Sequence, residues 1–321
     1  SSADYQRKAI GSGPFTVADF QPGHSLKLAR SDTYHGTKAA SNVVEFMQYS
    51  AADALSKALT DGSLDMAAPV SASTATGLNG KDGLTVKEGA TTDKVLLAYN
   101  NGTDSLLSDE QARKAFRYQI DAAGIASAQP DAAGALGGPI SLLEPGYEDL
   151  TGLYPHDENQ AGQMFSYFGA QYLTTVNLVV PEEYRSLAET IKQQIERQPR
   201  PTVNLEVLSD EDYAKRIKDG KWELTVMSMD GTDDAGIFAD PDSMFHYDHT
   251  EAQQAYADAR AATNDADYEA RMKAYARLIS EDAASDWLYT RKCFTVASTK
   301  VSGYPTSMIN RRMPLAGLTV K

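Results

Sequence analysis

The chain is poor in cysteine and in positive charge, and it lacks long apolar runs. Its 321 residues include a single cysteine, Cys293, so an internal disulfide and a zinc site built from several thiolates are both excluded. Lys and Arg number 30 against 44 Asp and Glu, and the net charge of −14 disfavours nucleic-acid binding, which depends on contacts to phosphates. No run approaches the roughly 18 apolar residues that a membrane-spanning helix needs.

The amino terminus also lacks a targeting pattern. Ser1–Asp4 has neither a basic segment nor an apolar one, so we expect either a cytosolic chain or one whose leader has been removed. At roughly 150 residues per domain, the length predicts about two domains. Hydrophobic residues make up 42% of the chain and charged residues 23%, which is typical of a globular protein with a sizeable core.

The clearest secondary-structure pattern runs from residue 175 to residue 227. Short apolar or alternating runs predict strands, and apolar residues spaced three or four apart predict amphipathic helices. In chain order these are a strand at Thr175–Val180, a helix at 184–195, a strand at Thr202–Val207, a helix from Ser209 to Gly220, and a strand at Trp222–Met227. Because the links are short, this order predicts parallel strands with right-handed crossovers and therefore an α/β core.

The flanking regions show weaker patterns of the same kinds. We predict a hairpin from Phe15–Phe20 and Ser25–Arg30, strands at Val43–Met47, Val95–Tyr99 and Cys293–Ser298, helices at Ser50–Leu59, Glu251–Ala262 and Asp267–Ile279, and a helix capped by Ser108. Two stretches of small residues, Ser71–Gly77 and Ala132–Gly138, are interpreted as loops.

Familiar catalytic motifs are missing. The sequence contains no G-x-S-x-G or H-E-x-x-H motif, and the glycines at Gly11 and Gly13 are typical of a tight turn. His246 and His249 could chelate a metal, but no third ligand is obvious, and a solvated loop is the favoured interpretation. Cys293 lies in an apolar strand, which favours a small buried hydrophobic residue.

An acidic loop, Ser228–Asp242, follows the third predicted parallel strand. It holds five carboxylates, at Asp230, Asp233, Asp234, Asp240 and Asp242. Ligands of open α/β sheets bind at the carboxyl ends of strands, so the loop could be an anionic clamp for a cationic ligand group. The competing interpretation is a solvated acidic loop. The alternate aspartates and distal glutamate of a calcium loop are absent.

Several motifs, in order along nearly the whole chain, resemble the solute-binding proteins of oligopeptide, dipeptide and nickel importers (solute-binding family 5). They are Gly11-Ser-Gly-Pro-Phe15 with Leu28-Ala-Arg-Ser-Asp-Thr-Tyr-His-Gly36 (compare GTGPY and LxRNPDYWG), Ala54–Asp65, Arg113–Asp121 (vRqAlsyAiD), Asp240-Pro241 and Ala276–Tyr289. The match departs from the family in two places. The chain begins just before the GTGPY-like segment, as a C-terminal fragment would, and Met229-Asp230 replaces the family's Gly-Trp.

The resemblance implies a periplasmic-binding-protein-like α/β fold with two lobes, one complete and one partial. Residues 102–289 would form the complete lobe, and residues 1–101 and 290–321 the C-terminal part of the other. Such a protein captures a peptide or similar small solute outside the cytoplasmic membrane and delivers it to an ABC permease. The intact protein would be anchored through an N-terminal segment, without a cofactor. The family's ligand-binding aspartate corresponds best to Asp234, then Asp233, with Asp230 and Met229 nearby; Asp242 is expected to cap a turn.

Two alternatives remain open at this stage. Within the same family, the ligand could be nickel or a metal chelate held by His246 and His249. In another class, a hydrolase could use carboxylates of Asp230–Asp242 as acid and base, which requires two carboxyl groups facing one cleft.

We expect the chain by itself to bind ligand weakly and to self-associate, because an incomplete lobe exposes apolar surface or open strand edges. Analytical ultracentrifugation of the chain, together with peptide affinities compared with those of the intact protein, checks this expectation. A clean monomer that binds peptide as tightly as the intact protein contradicts it.

Overall fold

The computed structural model describes residues 11–169, 175–310 and 312–321, and the chain divides into two compact units. Unit 1 comprises residues 1–89 and 293–321, and unit 2 comprises residues 90–292. Strands β5 (Leu84–Tyr99) and β10 (Ser285–Ser298) carry the chain from one unit into the other. The lobe boundaries proposed from the sequence, at 101/102 and 289/290, concern the intact two-lobed protein and stay a prediction.

Unit 1 is built around short antiparallel strands. Strand β1 (Phe15–Gln21) pairs with β2 (Ser25–Arg30), and β2 pairs with β3 (Val43–Met47), which confirms the predicted hairpin and the strand after it. The other elements are α1 (Ala52–Asp61), β4 (Met66–Val70), α2 (Ala72–Leu78), β11 (Val301–Ser302) and β12 (Thr319–Val320). Strand β4 pairs with the last part of β10. Cys293, the first residue of β10 that belongs to unit 1, is buried, which confirms the prediction from its apolar neighbours in sequence.

Unit 2 is an α/β unit. After β5 come α3 (Glu110–Gln119), α4 (Ala122–Ala128), β6 (Ala132–Ala135), α5 (Glu158–Gly169), β7 (Thr175–Pro181), α6 (Arg185–Ile195), β8 (Thr202–Leu208), α7 (Asp210–Lys218), β9 (Leu224–Met229), α8 (Thr250–Arg260) and α9 (Asp265–Glu281). Short 3-10 turns lie at Leu106–Ser108, Glu182–Tyr184 and Asp234–Ala239. Four strands lie side by side in the order β5, β9, β7, β8, while β6 pairs with β10.

The β5 strand of unit 2 is buried on both faces, as its uninterrupted apolar run predicts. Alternate side chains point to opposite faces of a strand, and the core follows this alternation. Val95, Leu97 and Tyr99 pack in one cluster with residues of α3 and α6, whereas Leu96 and Ala98 pack in a second cluster with residues of α8 and α9. Both tryptophans of the chain, Trp222 and Trp287, belong to the second cluster.

The predicted strand–helix–strand–helix–strand segment is confirmed. Strand β7 pairs in parallel with β8 along its length and also with β9. Ser209 caps α7 by accepting a hydrogen bond from the backbone N–H of Asp212, as its position before the helix predicted. The third strand begins at Leu224, not at Trp222, which instead packs with the second cluster just before the strand.

Several local predictions were wrong. Residues 72–78 form helix α2, capped by Ser71, and Ala132–Ala135 pairs with β10 as a strand. Both stretches consist mostly of alanine, serine, threonine and glycine, so they lack the large apolar residues whose periodicity would reveal an element. Two helix starts also move by one residue, since α3 is capped by Asp109 rather than Ser108, and Ala51 rather than Ser50 precedes α1.

Two residues in and near the family-like motifs anchor the end of helix α9. The Arg113 guanidinium donates to the carbonyl oxygens of Asp282 and Ala283 and pairs with the Asp282 carboxylate at 2.9 Å. The Asn101 amide donates to carbonyl oxygens of Tyr99 and Ala284. Helix ends leave carbonyls without intrahelical partners, so these side chains satisfy groups that would otherwise be buried unpaired. Throughout the described ranges, no helix combines the length and the apolar character needed to cross a bilayer.

We expect Ile191→Ala to destabilise unit 2 by about 2–5 kcal/mol, because Ile191 is fully buried in the first core cluster and its truncation leaves a cavity. Tryptophan fluorescence during urea unfolding reports this unit, since both tryptophans lie in it. Glu189→Ala, on the exposed face of the same helix, is the control and should leave the unfolding midpoint nearly unchanged. Equal midpoints for the two variants would contradict the packing described here.

Candidate ligand-binding edge of the parallel strands

The carboxyl ends of the parallel strands in unit 2 share one edge of the sheet. Strand β7 ends at Pro181, β8 at Leu208 and β9 at Met229. Strand β5 runs antiparallel to β9, and its Lys94 lies opposite Met229, so β5 enters the sheet at this same edge. Because ligands of open α/β sheets bind outside the carboxyl ends of the strands, this edge is the candidate functional site.

A buried lysine organises the edge. The Lys94 ammonium lies 2.8 Å from a carboxylate oxygen of Glu144, 3.0 Å from Oδ1 of Asp234 and 3.1 Å from the carbonyl oxygen of Gly231. The side chains of Lys94 and Glu144 are 1% and 3% exposed, and that of Asp234 is 16% exposed. Asp234 is therefore the member of this triad most open to an approaching group.

The triad carries more negative than positive charge. Two carboxylates face one ammonium, which leaves a net charge of −1 when both are ionised. Burial raises the pKa of Asp234 to about 6, and the neighbouring Glu144 adds to this rise, while Lys94 acts in the opposite direction. A buried site with surplus negative charge favours either a proton or an additional cationic group.

The other predicted loop residues lie close in sequence but make different contacts. Asp233 accepts hydrogen bonds from the Tyr256 hydroxyl at 3.1 Å and from Arg260 at 3.2 Å, at the surface of α8. Met229 ends β9, and both it and Asp230 are half-buried. The Asp230 carbonyl oxygen accepts a hydrogen bond from the Thr92 hydroxyl at 2.8 Å.

At the end of the loop, the side chain of Asp240, and not that of Asp242, closes the turn at Asp240-Pro241. The Asp240 carboxylate accepts a hydrogen bond from the backbone N–H of Asp242 at 3.0 Å, so the capping role expected of Asp242 belongs to Asp240. The side chain of Asp242 is exposed.

A second charged group lies at the same edge, where the chain leaves unit 2. The Arg291 guanidinium donates to the Tyr184 hydroxyl at 3.3 Å and lies 3.4 Å from Asp131 and 3.8 Å from Asp93. Burial raises the pKa of the Tyr184 hydroxyl. This cluster ties the start of β5 in unit 2 to the middle of β10, and its two carboxylates again outnumber its one cation.

Sequence reasoning missed Lys94, Glu144 and Arg291. For Lys94 the sequence did offer a signal, because a charged residue that immediately precedes the apolar run of β5 is expected to need a partner. Glu144 gave none, because it lies in a loop that the fold brings to the edge from 50 residues away in sequence.

The two histidines considered as metal ligands have other positions. His249 caps helix α8 by accepting a hydrogen bond from the backbone N–H of Ala252 at 3.3 Å. His246 lines a groove of about 820 Å³ at the opposite edge of the sheet, together with Asn100 and Trp222. Where the structure describes the chain, no group of three or more His, Cys, Asp or Glu side chains could hold a metal ion.

The family model described as bacterial extracellular solute-binding proteins, family 5 Middle, matches residues 1–256. A comparison with curated protein sequences gives no match. Among solved structures, the chain is similar to the ABC transporter substrate-binding protein CtaP from Listeria monocytogenes, with 16% identity, a TM-score of 0.86, and 99% of this chain and 68% of that chain covered.

Two further structures carry named ligands. The oligopeptide-binding protein AppA from Bacillus subtilis, in complex with a nonapeptide, is 18% identical with a TM-score of 0.73, over 98% of this chain and 67% of that chain. NikA from Staphylococcus aureus, in complex with Ni(L-His)2, is 16% identical with a TM-score of 0.71, over 98% of this chain and 71% of that chain. At these identities the likeness shows the fold.

We expect Asp234→Asn to remove a pH dependence of stability. The pKa of this carboxyl rises from 3.8 in the unfolded chain to about 6 in the folded one. The free energy of unfolding of the parent chain therefore falls as pH rises from about 4 to 6, by at most roughly 3 kcal/mol. The asparagine variant lacks this loss, so its stability relative to the parent chain should increase over that interval and then level off. Urea unfolding monitored by tryptophan fluorescence at pH 4, 5, 6 and 7 measures it.

The matched control is Asp265→Asn, an exposed aspartate in the same unit. Its stability should follow that of the parent chain at every pH. Parallel pH profiles for Asp234→Asn and the parent would show that Asp234 ionises in the folded protein as freely as in the unfolded chain.

Proposed function

The chain belongs to the bacterial extracellular solute-binding proteins, family 5, and from that premise we propose that it captures a peptide and delivers it, chemically unchanged, to an ABC permease. The site proposed for the peptide is the edge of unit 2 formed by the carboxyl ends of β7, β8 and β9. Binding outside the cytoplasmic membrane, and attachment of the intact protein to that membrane, are parts of the same proposal.

One observation carries the choice of a ligand with a positive group. The triad of Lys94, Glu144 and Asp234 is one positive charge short of neutrality, and its most exposed member is Asp234. A peptide α-ammonium beside Asp234 supplies that charge and three hydrogen-bond donors. In a water-poor site such a charge-assisted hydrogen bond is stronger than the same contact in solvent.

The surrounding residues have different proposed roles. Asp233 is the second candidate for the ligand ammonium, although binding there competes with its contacts to Tyr256 and Arg260. Met229 makes the last ladder pair of β9 and Asp230 directly follows it, and we propose that both contact the first residues of the peptide. Lys94 holds the loop in place through Gly231 and Asp234, so it acts on the ligand indirectly.

A selection experiment tests the ligand class. The intact protein is incubated with a mixture of short synthetic peptides, half with free and half with acetylated amino termini, and retained peptides are identified by mass spectrometry. We expect the free amino termini to be strongly enriched. Equal retention of the acetylated peptides contradicts an ammonium clamp. In a parallel incubation with nickel and histidine, retention of the nickel–histidine complex by a protein that retains no peptide would assign the chain to metal-chelate capture.

Calorimetry with one retained peptide then tests the residues. Asp234→Asn should weaken binding by about 30-fold to several thousand-fold, the effect of removing one member of a desolvated ion pair worth about 2–5 kcal/mol. Asp233→Asn should have a smaller effect, and Asp242→Asn, at an exposed position, is the matched control. If Asp234→Asn and Asp233→Asn both bind within about twofold of the parent, the ammonium is held elsewhere.

A further inference from the structure

The sequence holds two Asn-Gly pairs, Asn79-Gly80 in unit 1 and Asn101-Gly102 in unit 2. Such pairs are chemically labile, because the backbone nitrogen of the second residue can attack the side-chain amide carbon of the asparagine, and glycine has no side chain to hinder this attack. Two structural conditions decide whether it occurs. Both reacting groups must be free of other bonds, and the backbone must be able to rotate until they meet.

The first pair lies in a turn at the end of helix α2. The turn runs from Leu78 to Lys81 and is closed by a hydrogen bond of 3.2 Å from the backbone N–H of Lys81 to the carbonyl oxygen of Leu78. Asn79 has φ −65° and ψ 130°, and Gly80 has φ +78°, which are the angles of a type II turn. The N–H of Gly80 belongs to the middle peptide bond of this turn, so it takes no part in the closing hydrogen bond.

Both reacting groups of the first pair are accessible. Asn79 and Gly80 are exposed, and neither the Asn79 amide nor the Gly80 N–H makes a hydrogen bond to the part of the chain that the structure describes. Apart from the adjacent residues, no atom lies within 4 Å of the place that a Cβ of Gly80 would take. Rotation about ψ of Asn79 can therefore bring the Gly80 nitrogen to the amide carbon at the cost of one exposed hydrogen bond, that of the turn.

The second pair is protected at both reacting groups. Asn101 is 9% exposed, and its amide nitrogen donates to three backbone carbonyl oxygens at 3.0, 3.1 and 3.2 Å. The N–H of Gly102 donates to the side-chain oxygen of Asn100 at 3.0 Å. Attack at this pair would break several of these contacts inside unit 2, so the same dipeptide is unreactive here as long as the unit is folded.

We propose that Asn79 is a modification site, at which the folded chain deamidates spontaneously. The Gly80 nitrogen forms a bond to Cγ of Asn79 and loses its proton, the bond from Cγ to the amide nitrogen breaks, and ammonia leaves with that proton. The product is a cyclic succinimide. Water, the only co-reactant, then opens the ring at either carbonyl carbon, which gives aspartate or isoaspartate, whose main chain continues through the side-chain carbon.

The modification changes the end of α2. A carboxylate replaces a neutral amide beside the last carbonyl groups of the helix, which already carry partial negative charge. Isoaspartate also lengthens the main chain by one carbon next to Leu78, which is 5% exposed and packs in the core cluster of unit 1 with Leu59 and Phe294. Both changes act against the helix end that the structure shows, and each modified chain carries one more negative charge.

Peptide mass spectrometry of the whole chain, incubated at mildly alkaline pH and then digested, measures the reaction at each asparagine. We expect the peptide that contains Asn79 to appear in two acidic forms, isoaspartate and aspartate, at a rate at least about tenfold higher than at Asn101. A second incubation in urea removes the structure. Both asparagines should then react at similar rates, because the protection of Asn101 depends on the fold.

Asn79→Gln removes the site, because the longer side chain forms the corresponding ring far more slowly. Ion-exchange chromatography should show that the acidic form stops accumulating in this variant. Asn159→Gln, at another exposed position, is the matched control and should accumulate it as the parent chain does. The proposal is overturned if Asn79 stays unmodified in the folded chain, if only aspartate and no isoaspartate forms, if folded Asn101 reacts as fast as Asn79, or if Asn79→Gln still becomes acidic at the parent rate.

Discussion

A buried ammonium without enough acceptors is too costly to persist in a protein interior, and Lys94 imposes this constraint on unit 2. Its side chain is almost completely buried at the entry of β5, and it gathers three oxygens from two loops that are far apart in sequence. Satisfying Lys94 brings the loop around Glu144 and the loop after β9 to the same edge of the sheet. The course of the acidic loop, and thus the placement of Asp234, depends on this contact.

The same constraint explains why Asp234 in the acidic loop is bonded to other groups of the chain and is not a solvated side chain. Asp234 accepts a hydrogen bond from the backbone N–H of Gly231 at 2.9 Å and pairs with Lys94, so both of its oxygens are engaged inside the chain. Asp233, the adjacent residue, faces α8 instead. Two consecutive aspartates thus serve different parts of the unit, one at the sheet edge and the other at a helix surface.

The parts of the fold that sequence could predict are those where burial alternates with a clear period. The apolar run of β7, the spaced apolar residues of α6 and the cap at Ser209 are local signals, and the structure contains all three. Helix α2 and strand β6 could not be recognised, because alanine, serine and glycine carry no periodic contrast. The contacts of Lys94 with Glu144 and Asp234 could not be predicted from the sequence either. They join residues 50 and 140 positions apart, and such contacts depend on packing and not on a local pattern.

The single cysteine has a practical consequence. Cys293 is buried, and burial raises the pKa of its thiol, so little reactive thiolate is available at neutral pH. A thiol-directed fluorophore or spin label therefore has no accessible native target in this chain. Introducing one cysteine at an exposed position in each unit would create two labelling sites without first removing the natural residue. Distances between the two labels, with and without ligand, would then be measurable in solution on an otherwise unaltered protein.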